Sequence, residues 1–467
     1  MTSLKKLLAV LAVSLPLAAS AQTTAAVGGL NLKFSGDFNT RFMVFTDQAG
    51  IYSGAETIVA APSATNPFAG RTSEDTVEEA WGEFKFRFTV EAASSDNAVR
   101  GVYGVEIGAI RFGDGGTITG GTPADPIGTR GGGFSGDGDN YETRFAYIDF
   151  GLDTAHKNRI SVGLQPFTVN RFIWSETATG VQLKGDAGVL KYTAAWMRGR
   201  EVFTTQTEQE VTADGDNYLL RADFVPMKDA KVGVFGLYQH QNPEVAGATF
   251  GHLLKRFGAN TSFDLVSVGA DAGLTFGNIF VNGDFIYQMG ELEGGIDHSA
   301  WIAHADVGVN LDALKLTYTG WYASGQPDDE EDSKAFIATD VDFFDSIVLF
   351  EGGFTDDVYF TEAPYFLNFG AIFNRLGADY KVSPKVTVGA AAMYIMTAED
   401  VPVGNGENVI GTEFDAYLSY KPVPQLELAV NAGYLVAGDA LAAIELDGDD
   451  NADNDIFRMT ARARYMF

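Results

Sequence analysis

The feature that most constrains this chain is a period-two alternation of apolar and polar residues that recurs along nearly all of its length. Leu30, Leu32, Phe34, Phe38, Phe42 and Val44 share one face, while Asn31, Lys33, Ser35, Asp37, Asn39 and Arg41 share the other. Successive side chains of a strand point to opposite faces, so the pattern predicts β-structure. The run is longer than the usual five or six residues of a globular strand. It suits a tilted strand that crosses a bilayer, which needs about 9–11 residues. The same alternation appears at Ala80–Val90, Val266–Phe276, Ile279–Met289, Trp301–Val309 and Phe457–Phe467.

Connections between these segments alternate in length. Short ones fall near 94–97, 153–158, 185–188, 226–230, 277–278, 311–313, 383–384 and 421–424. Longer ones fall near 46–79, 113–141, 166–179, 199–216, 241–263, 291–299, 324–367, 398–409 and 438–455. Short turns at one end and long loops at the other are the rule for transmembrane barrels. Eight short and nine long connections predict an all-β, antiparallel up-and-down β-barrel of eighteen strands with a water-filled lumen, sixteen being the alternative. The barrel is expected to form one domain over residues 22–467.

Residues 1–21 read as a cleaved secretory signal: Lys5 and Lys6 precede an apolar stretch from Leu7 to Leu17, and Ala19-Ser20-Ala21 fits the small-x-small cleavage rule. No later apolar run is long enough for a membrane helix. The chain contains no Cys, which excludes thiolate metal sites and Cys nucleophiles. With 62 acidic against 32 basic residues, it is a poor match for nucleic acid. The five His, at 156, 240, 252, 298 and 304, match no zincin spacing, and no phosphate-binding or dinucleotide motif is present. No enzymatic activity is expected.

The C-terminal Arg464-Tyr465-Met466-Phe467, following an export signal and closing an alternating strand, resembles the end of an outer-membrane porin. Thr143–Ile148 and Arg159–Leu164 resemble the hairpin of strands 4 and 5 in trimeric porins. The likeness is nearest to the homotrimeric porins of sulfate-reducing bacteria. It implies a Gram-negative outer-membrane location, a homotrimer, passive diffusion of small hydrophilic solutes, and a third loop folded into the lumen. It also implies that Tyr465 and Phe467 form the signal read by the barrel-assembly machinery. A substrate-selective channel for sugars or organic acids and a structural or surface-interaction barrel are the alternative readings.

Sixteen or eighteen strands leave a bore too wide for side chains to fill, so inward-facing charge and whatever narrows the bore decide what passes. Closure sets the last strand beside the first. The inward positions there carry Lys33, Arg41, Lys85, Arg87, Arg100, Arg458, Arg462 and Arg464, a basic wall diluted by Asp37, Glu83 and Glu106. Half-way round, Asp271, Asp284, Asp306, Asp379, Glu413 and Asp415 form an acidic wall. The expectation is a transverse field across the lumen.

The segment from Gln165 to Glu176 is unusually apolar for an exposed loop and must bury Phe167, Phe172, Ile173 and Trp174 against something. With Arg171 and Glu176 it is the candidate constriction; the alternative is packing against a neighbouring subunit or beneath another loop. The Gly-rich loop 113–141 is a second candidate. Acidic runs at 328–332 and 447–455 offer hard oxygen ligands, so Asp328, Asp329, Asp447 and Asp449 are weak candidates for holding Ca²⁺ or Mg²⁺ and bridging to lipopolysaccharide phosphates. No EF-hand spacing is present, and self-repelling solvated loops account for the same residues. No other cofactor is expected.

Overall fold

The structure is a computed structural model, and it describes residues 23–27, 29–48, 57–58, 71–72, 77–112, 141–200, 215–241, 262–292, 294–328, 330–354, 364–401, 406–441 and 455–467. The export signal with Ala19 and Ala21, the loop 113–140, and Asp329, Asp447 and Asp449 lie outside them. Asp328 is described and is exposed.

Eighteen antiparallel strands close into one barrel. In chain order they are β1 Leu30–Gln48, β2 Val77–Ser94, β3 Val99–Arg111, β4 Tyr141–Gly151, β5 Asn158–Asn170, β6 Trp174–Asp186, β7 Leu190–Arg200, β8 Gly215–Met227 and β9 Ala230–Gln241. The second half comprises β10 Phe263–Phe276, β11 Ile279–Leu292, β12 Ile296–Leu311, β13 Leu314–Ala323, β14 Ala371–Ser383, β15 Val386–Val401, β16 Glu407–Val423, β17 Leu426–Ala437 and β18 Ile456–Met466. Each strand pairs with its chain neighbours, and β18 returns to β1 in a register running from Asp37 opposite Met466 to Thr46 opposite Phe457. A short strand, Thr23–Val27, pairs with Leu30–Phe34 and continues the same edge of β1 past the end of β18. Among the described residues no helix is long and apolar enough to cross a membrane.

Alternation sets the two faces. On β1 the odd positions Asp37, Asn39, Arg41, Met43 and Phe45 are buried toward the lumen, whereas Phe38 and Phe42 are exposed outside. A closed barrel of this kind satisfies every ladder group and has no free edge, which is why strands can line a bilayer at all.

At one end the strands join through short turns: two residues separate β8 from β9, β10 from β11 and β12 from β13. The 152–157 turn is organised by Asp153, whose carboxylate accepts from the backbone N–H groups of Asn158 (2.9 Å), Lys157 (3.2 Å) and Ala155 (2.9 Å) and from the Asn158 side chain. These donors, Asn158 first, hold its carboxyl below the ordinary value.

Three of the longer connections differ from expectation. The segments expected as loops at 166–179 and 291–299 are largely strand: β5 and β6 pair as far as Asn170 opposite Trp174, and β11 and β12 as far as Leu292 opposite Ile296. Within the 324–370 connection between β13 and β14, the described stretches 333–350 and 364–370 lie inside the barrel instead of forming an external loop. Ala335, Phe336, Ile337, Val341, Phe343, Ile347, Val348, Leu349, Phe350, Tyr365 and Phe366 within it are all buried. Phe336, Val341, Phe343, Val348, Leu349, Phe350, Tyr365 and Phe366 form one core with Phe167, Phe172 and Ile173 of the β5–β6 hairpin and with inward wall residues such as Met197, Leu219, Phe235, Ile286, Ile302, Trp321, Phe373 and Ile395, while Ile337 packs in a second cluster with Phe263, Leu265 and Leu292. The core therefore sits inside the barrel, where burying each large apolar side chain contributes about 1.5–3 kcal/mol. Gly433 on β17 makes room for it: a Cβ there would stand 2.8 Å from the Asp415 carboxylate and 2.9 Å from Val348.

Candidate functional site

Two insertions narrow the lumen. The first is the tip of the β5–β6 hairpin. β4 accompanies β5 only to Ala146 opposite Leu164, and β7 accompanies β6 only to Met197 opposite Gly180. Beyond those points the hairpin strands pair with each other and leave the wall, and Trp174 adds one parallel bridge to Asp340 of the segment between β13 and β14. Gly163 marks the departure on β5, with φ of +127°, a conformation that L side chains rarely adopt. Gly180 marks it on β6, where a Cβ would lie 2.1 Å from the Trp196 carbonyl.

The tip is tied to the inner faces of β8, β11 and β12. The Asn170 amide donates to Asp284 (2.6 Å), while its oxygen accepts from the Phe172 N–H (2.9 Å) and shapes the turn. Arg221 donates to the Val169 carbonyl (3.2 Å). The Phe172 ring stands 5.0 Å from the His304 ring and 6.2 Å from Trp321. Tyr365 donates to the Phe172 carbonyl at 2.5 Å, and burial pushes its phenol well above the ordinary value, so it stays a neutral donor.

The second insertion is the 333–354 stretch, tied down in succession around the wall. Gln239 donates to Thr339 (3.0 Å), and Gln288 accepts from Ile337 N–H (2.8 Å) and donates to its carbonyl (2.9 Å). Glu413 accepts from the Ser346 hydroxyl (2.7 Å) and from the N–H groups of Ile347 and Val348 (both 2.8 Å). Arg458 donates to the Ile347 carbonyl (2.9 Å), Asn431 to that of Gly352 (2.6 Å), and Arg41 to that of Phe354. An Arg171–Asp345 ion pair of 2.9 Å links the two insertions.

These anchors run from β9 through β18 to β1. The arc from β2 to β4 carries Lys85, Arg87, Glu106, Glu142 and Arg144 on its inner face. On the insertions Glu176 is exposed and Arg171 and Asp345 are half-buried, and the Arg462 guanidinium lies 3.7 Å from the Phe354 ring.

The expected walls occupy the inner face, but two features of them differ. Arg41, Arg458, Glu413 and Asp415 are 0–6% exposed. They lie beneath the second insertion and bind its backbone instead of facing water. Nor is either wall of one sign. Lys85 and Arg87 share Glu106, Arg41 pairs with Glu83, Arg100 with Asp149 (2.9 Å), Arg462 with Glu427 (2.5 Å) and Arg464 with Asp37. On the far side Asp271 pairs with Arg221 (2.6 Å) and lies 3.6 Å from Lys231, Asp379 accepts from Tyr417 (2.6 Å), and Asp284 and Asp306 flank His304. Charges this enclosed are costly unless paired, so counter-ions interleave on both sides. Lys33 is half-buried on β1, opposite Glu91 in register.

In the hairpin tip Phe167 and Trp174 pack edge to face at 4.6 Å within the core. The residues of the second insertion, Asp345 and Ser346 foremost, were not among those the sequence singled out. At the seam, Phe467 exchanges backbone hydrogen bonds with Gly36 (2.9 and 3.0 Å), and its ring lies among Phe38, Phe86, Phe88 and Tyr465.

No family model matches the chain, and no curated protein does. Solved structures do. OccK3 (OpdO) of Pseudomonas aeruginosa is 10% identical, with a TM-score of 0.50 over 93% of this chain and 95% of that one. OccAB4 of Acinetobacter baumannii is 11% identical, with a TM-score of 0.50 over 93% and 98%. OpdQ of Pseudomonas aeruginosa is 9% identical, again with a TM-score of 0.50 over 93% and 98%. At these identities the likeness is one of fold.

Proposed function

We propose that the chain is a bacterial outer-membrane porin, an aqueous channel through which small hydrophilic solutes and ions diffuse passively. The observation that carries this reading is the charged inner face of the β2–β4 arc, between which and the two insertions we place the passage, inside a barrel that is apolar outside and too wide to be filled by its own wall. The reading requires no chemical step. A place in the outer membrane of a Gram-negative bacterium is part of the proposal. So are a homotrimer like those of the porins of sulfate-reducing bacteria, contact with lipopolysaccharide, and delivery by the assembly machinery through Tyr465 and Phe467.

The apolar core inside the lumen favours a selective channel over an open one, because it leaves the passage only one charged arc. Purified protein in planar bilayers should give stepwise, ohmic currents, and a preferred solute should block them. Replacing Lys85, Arg87 and Arg462 together by Gln should move the reversal potential toward cations, both by removing positive charge and by releasing Glu106 and Glu427 from their partners. Absence of conductance would refute the channel reading; an unmoved reversal potential would refute the assignment of the passage.

A further inference from the structure

His304 stands on the inner face of β12 directly beneath the hairpin tip. Its Nδ1 is 2.7 Å from Asp284 on β11, and its Nε2 is 3.1 Å from Asp306 on its own strand. The side chain is buried. Asp306 also accepts from Thr319 on β13 (2.7 Å), and Asp284 also accepts from Asn170 of the tip. Phe172 of the tip covers the imidazole face. The other charged or titratable groups packed around this unit are Arg171 of the tip, Asp345 of the second insertion through its pair with Arg171, and the Tyr365 hydroxyl.

The arrangement has one chemical peculiarity. Only the protonated imidazole can donate from both nitrogens; the neutral ring donates from one and presents a lone pair at the other. With both nitrogens facing carboxylates, the neutral ring must set a lone pair against an anion. We propose that His304 is a positioning residue of the constriction: as an imidazolium it braces Asp284, and through Asn170 it draws the hairpin tip against the β11–β12 wall. Loss of its proton leaves Arg171 as the cation beside Asp284 and Asp306, and repulsion between the two carboxylates turns Asp284 away from the Asn170 amide, which loosens the tether. The tip remains held by Arg221, Tyr365 and Asp345, so it shifts toward the β2–β4 arc and narrows the passage without leaving the lumen.

This inference rests on the channel reading, and the experiment separates the two. Single-channel conductance is followed in planar bilayers across pH ~5 to 8, the window in which imidazole changes charge. Wild type should show a conductance that falls with rising pH in one step. His304→Gln should conduct but lose that step. Asn170→Ala, which leaves His304 and both carboxylates in place and cuts the tether, should lose it as well, and it decides the matter where His304→Gln does not fold. A conducting wild type with no step, or variants that keep the wild-type step, would overturn the role of His304 while leaving the channel intact. A wild type that does not conduct overturns the channel reading and this inference with it.

Discussion

Glu413→Ala should open the channel several-fold. Glu413 is fully buried on β16, and its two carboxylate oxygens accept from the Ser346 hydroxyl and from two successive backbone N–H groups, those of Ile347 and Val348. Asp415 adds a weaker acceptor at 3.2 Å to the Ile347 N–H, and Arg458 holds the Ile347 carbonyl from the other side. Removing Glu413 leaves the Val348 N–H and the Ser346 hydroxyl unpaired in a dry site, at about 1–3 kcal/mol each, and leaves the Ile347 N–H only its weaker bond to Asp415. Insertion of 333–354 into the lumen then competes poorly with a hydrated, expelled segment. The closed wall does not depend on Glu413, because its ladder is made of backbone bonds between neighbouring strands. The barrel should fold and still show heat-modifiable migration on gels, while single-channel conductance rises. Glu413→Gln retains one acceptor oxygen and should fall between the two. A folded Glu413→Ala channel with wild-type conductance would show that the second insertion does not limit passage.

The wall of the barrel was legible in the sequence because alternation, strand length and connection length all report on it independently. Parity alone puts Asp37, Arg41, Glu83, Asp271 and Glu413 inside, and the structure keeps them there. What parity could not give is whether an inward position meets water or protein. Arg41 and Arg458 read as pore-lining cations because nothing local to their strands signals the segment that covers them, which is about a hundred residues away from Arg458 and some three hundred from Arg41 in the chain.

The covering segment did carry a signal. Ala335 to Ile337, Val341, Phe343, Phe344 and the Ile347–Phe350 run are as apolar as the Phe167–Trp174 stretch that was recognised as needing burial. The acidic run at 328–332 immediately before it obscured this, since that run belongs in water and suggested that the whole connection did. The hairpin tip was misjudged in a smaller way. Its composition reads as a loop, whereas pairing continues to Asn170 and Trp174, and what changes at Gly163 and Gly180 is which strands lie alongside. A two-stranded extension and a loop look alike when the partner strands cannot be seen. The counter-ions escaped for a similar reason: Glu106 reads as an inward acid, but its sharing between Lys85 and Arg87, like the Arg462–Glu427 pair, depends on registers that alternation does not specify.

Gly36→Ala should damage the barrel more than Phe467→Ala, although of the two only Phe467 belongs to the assembly signal we propose. Gly36 lies on the outer face of β1 at the closure seam. A methyl group there would stand 2.2 Å from the Arg87 carbonyl of β2 and 2.9 Å from the Phe467 ring. The ring could turn aside; the carbonyl belongs to the backbone of the neighbouring strand and cannot move without disturbing the β1–β2 ladder. Overpacking of this kind costs about 1–3 kcal/mol or more. It also weakens the reciprocal Gly36–Phe467 bonds that end the β1–β18 register. Phe467→Ala keeps those backbone bonds and removes a half-buried ring on the face we assign to lipid. Acyl chains replace most of its contacts there, because lipid is as apolar as the ring's neighbours. The two variants should therefore separate in two measurements. Gly36→Ala should lower the urea midpoint of the folded barrel and reduce the heat-modifiable fraction whether or not assembly factors are present. Phe467→Ala should leave the midpoint close to wild type and slow assembly only where the assembly machinery is supplied. Equal midpoints for Gly36→Ala and wild type would mean that the seam tolerates a side chain at this point and that its closure rests elsewhere on the β1–β18 register.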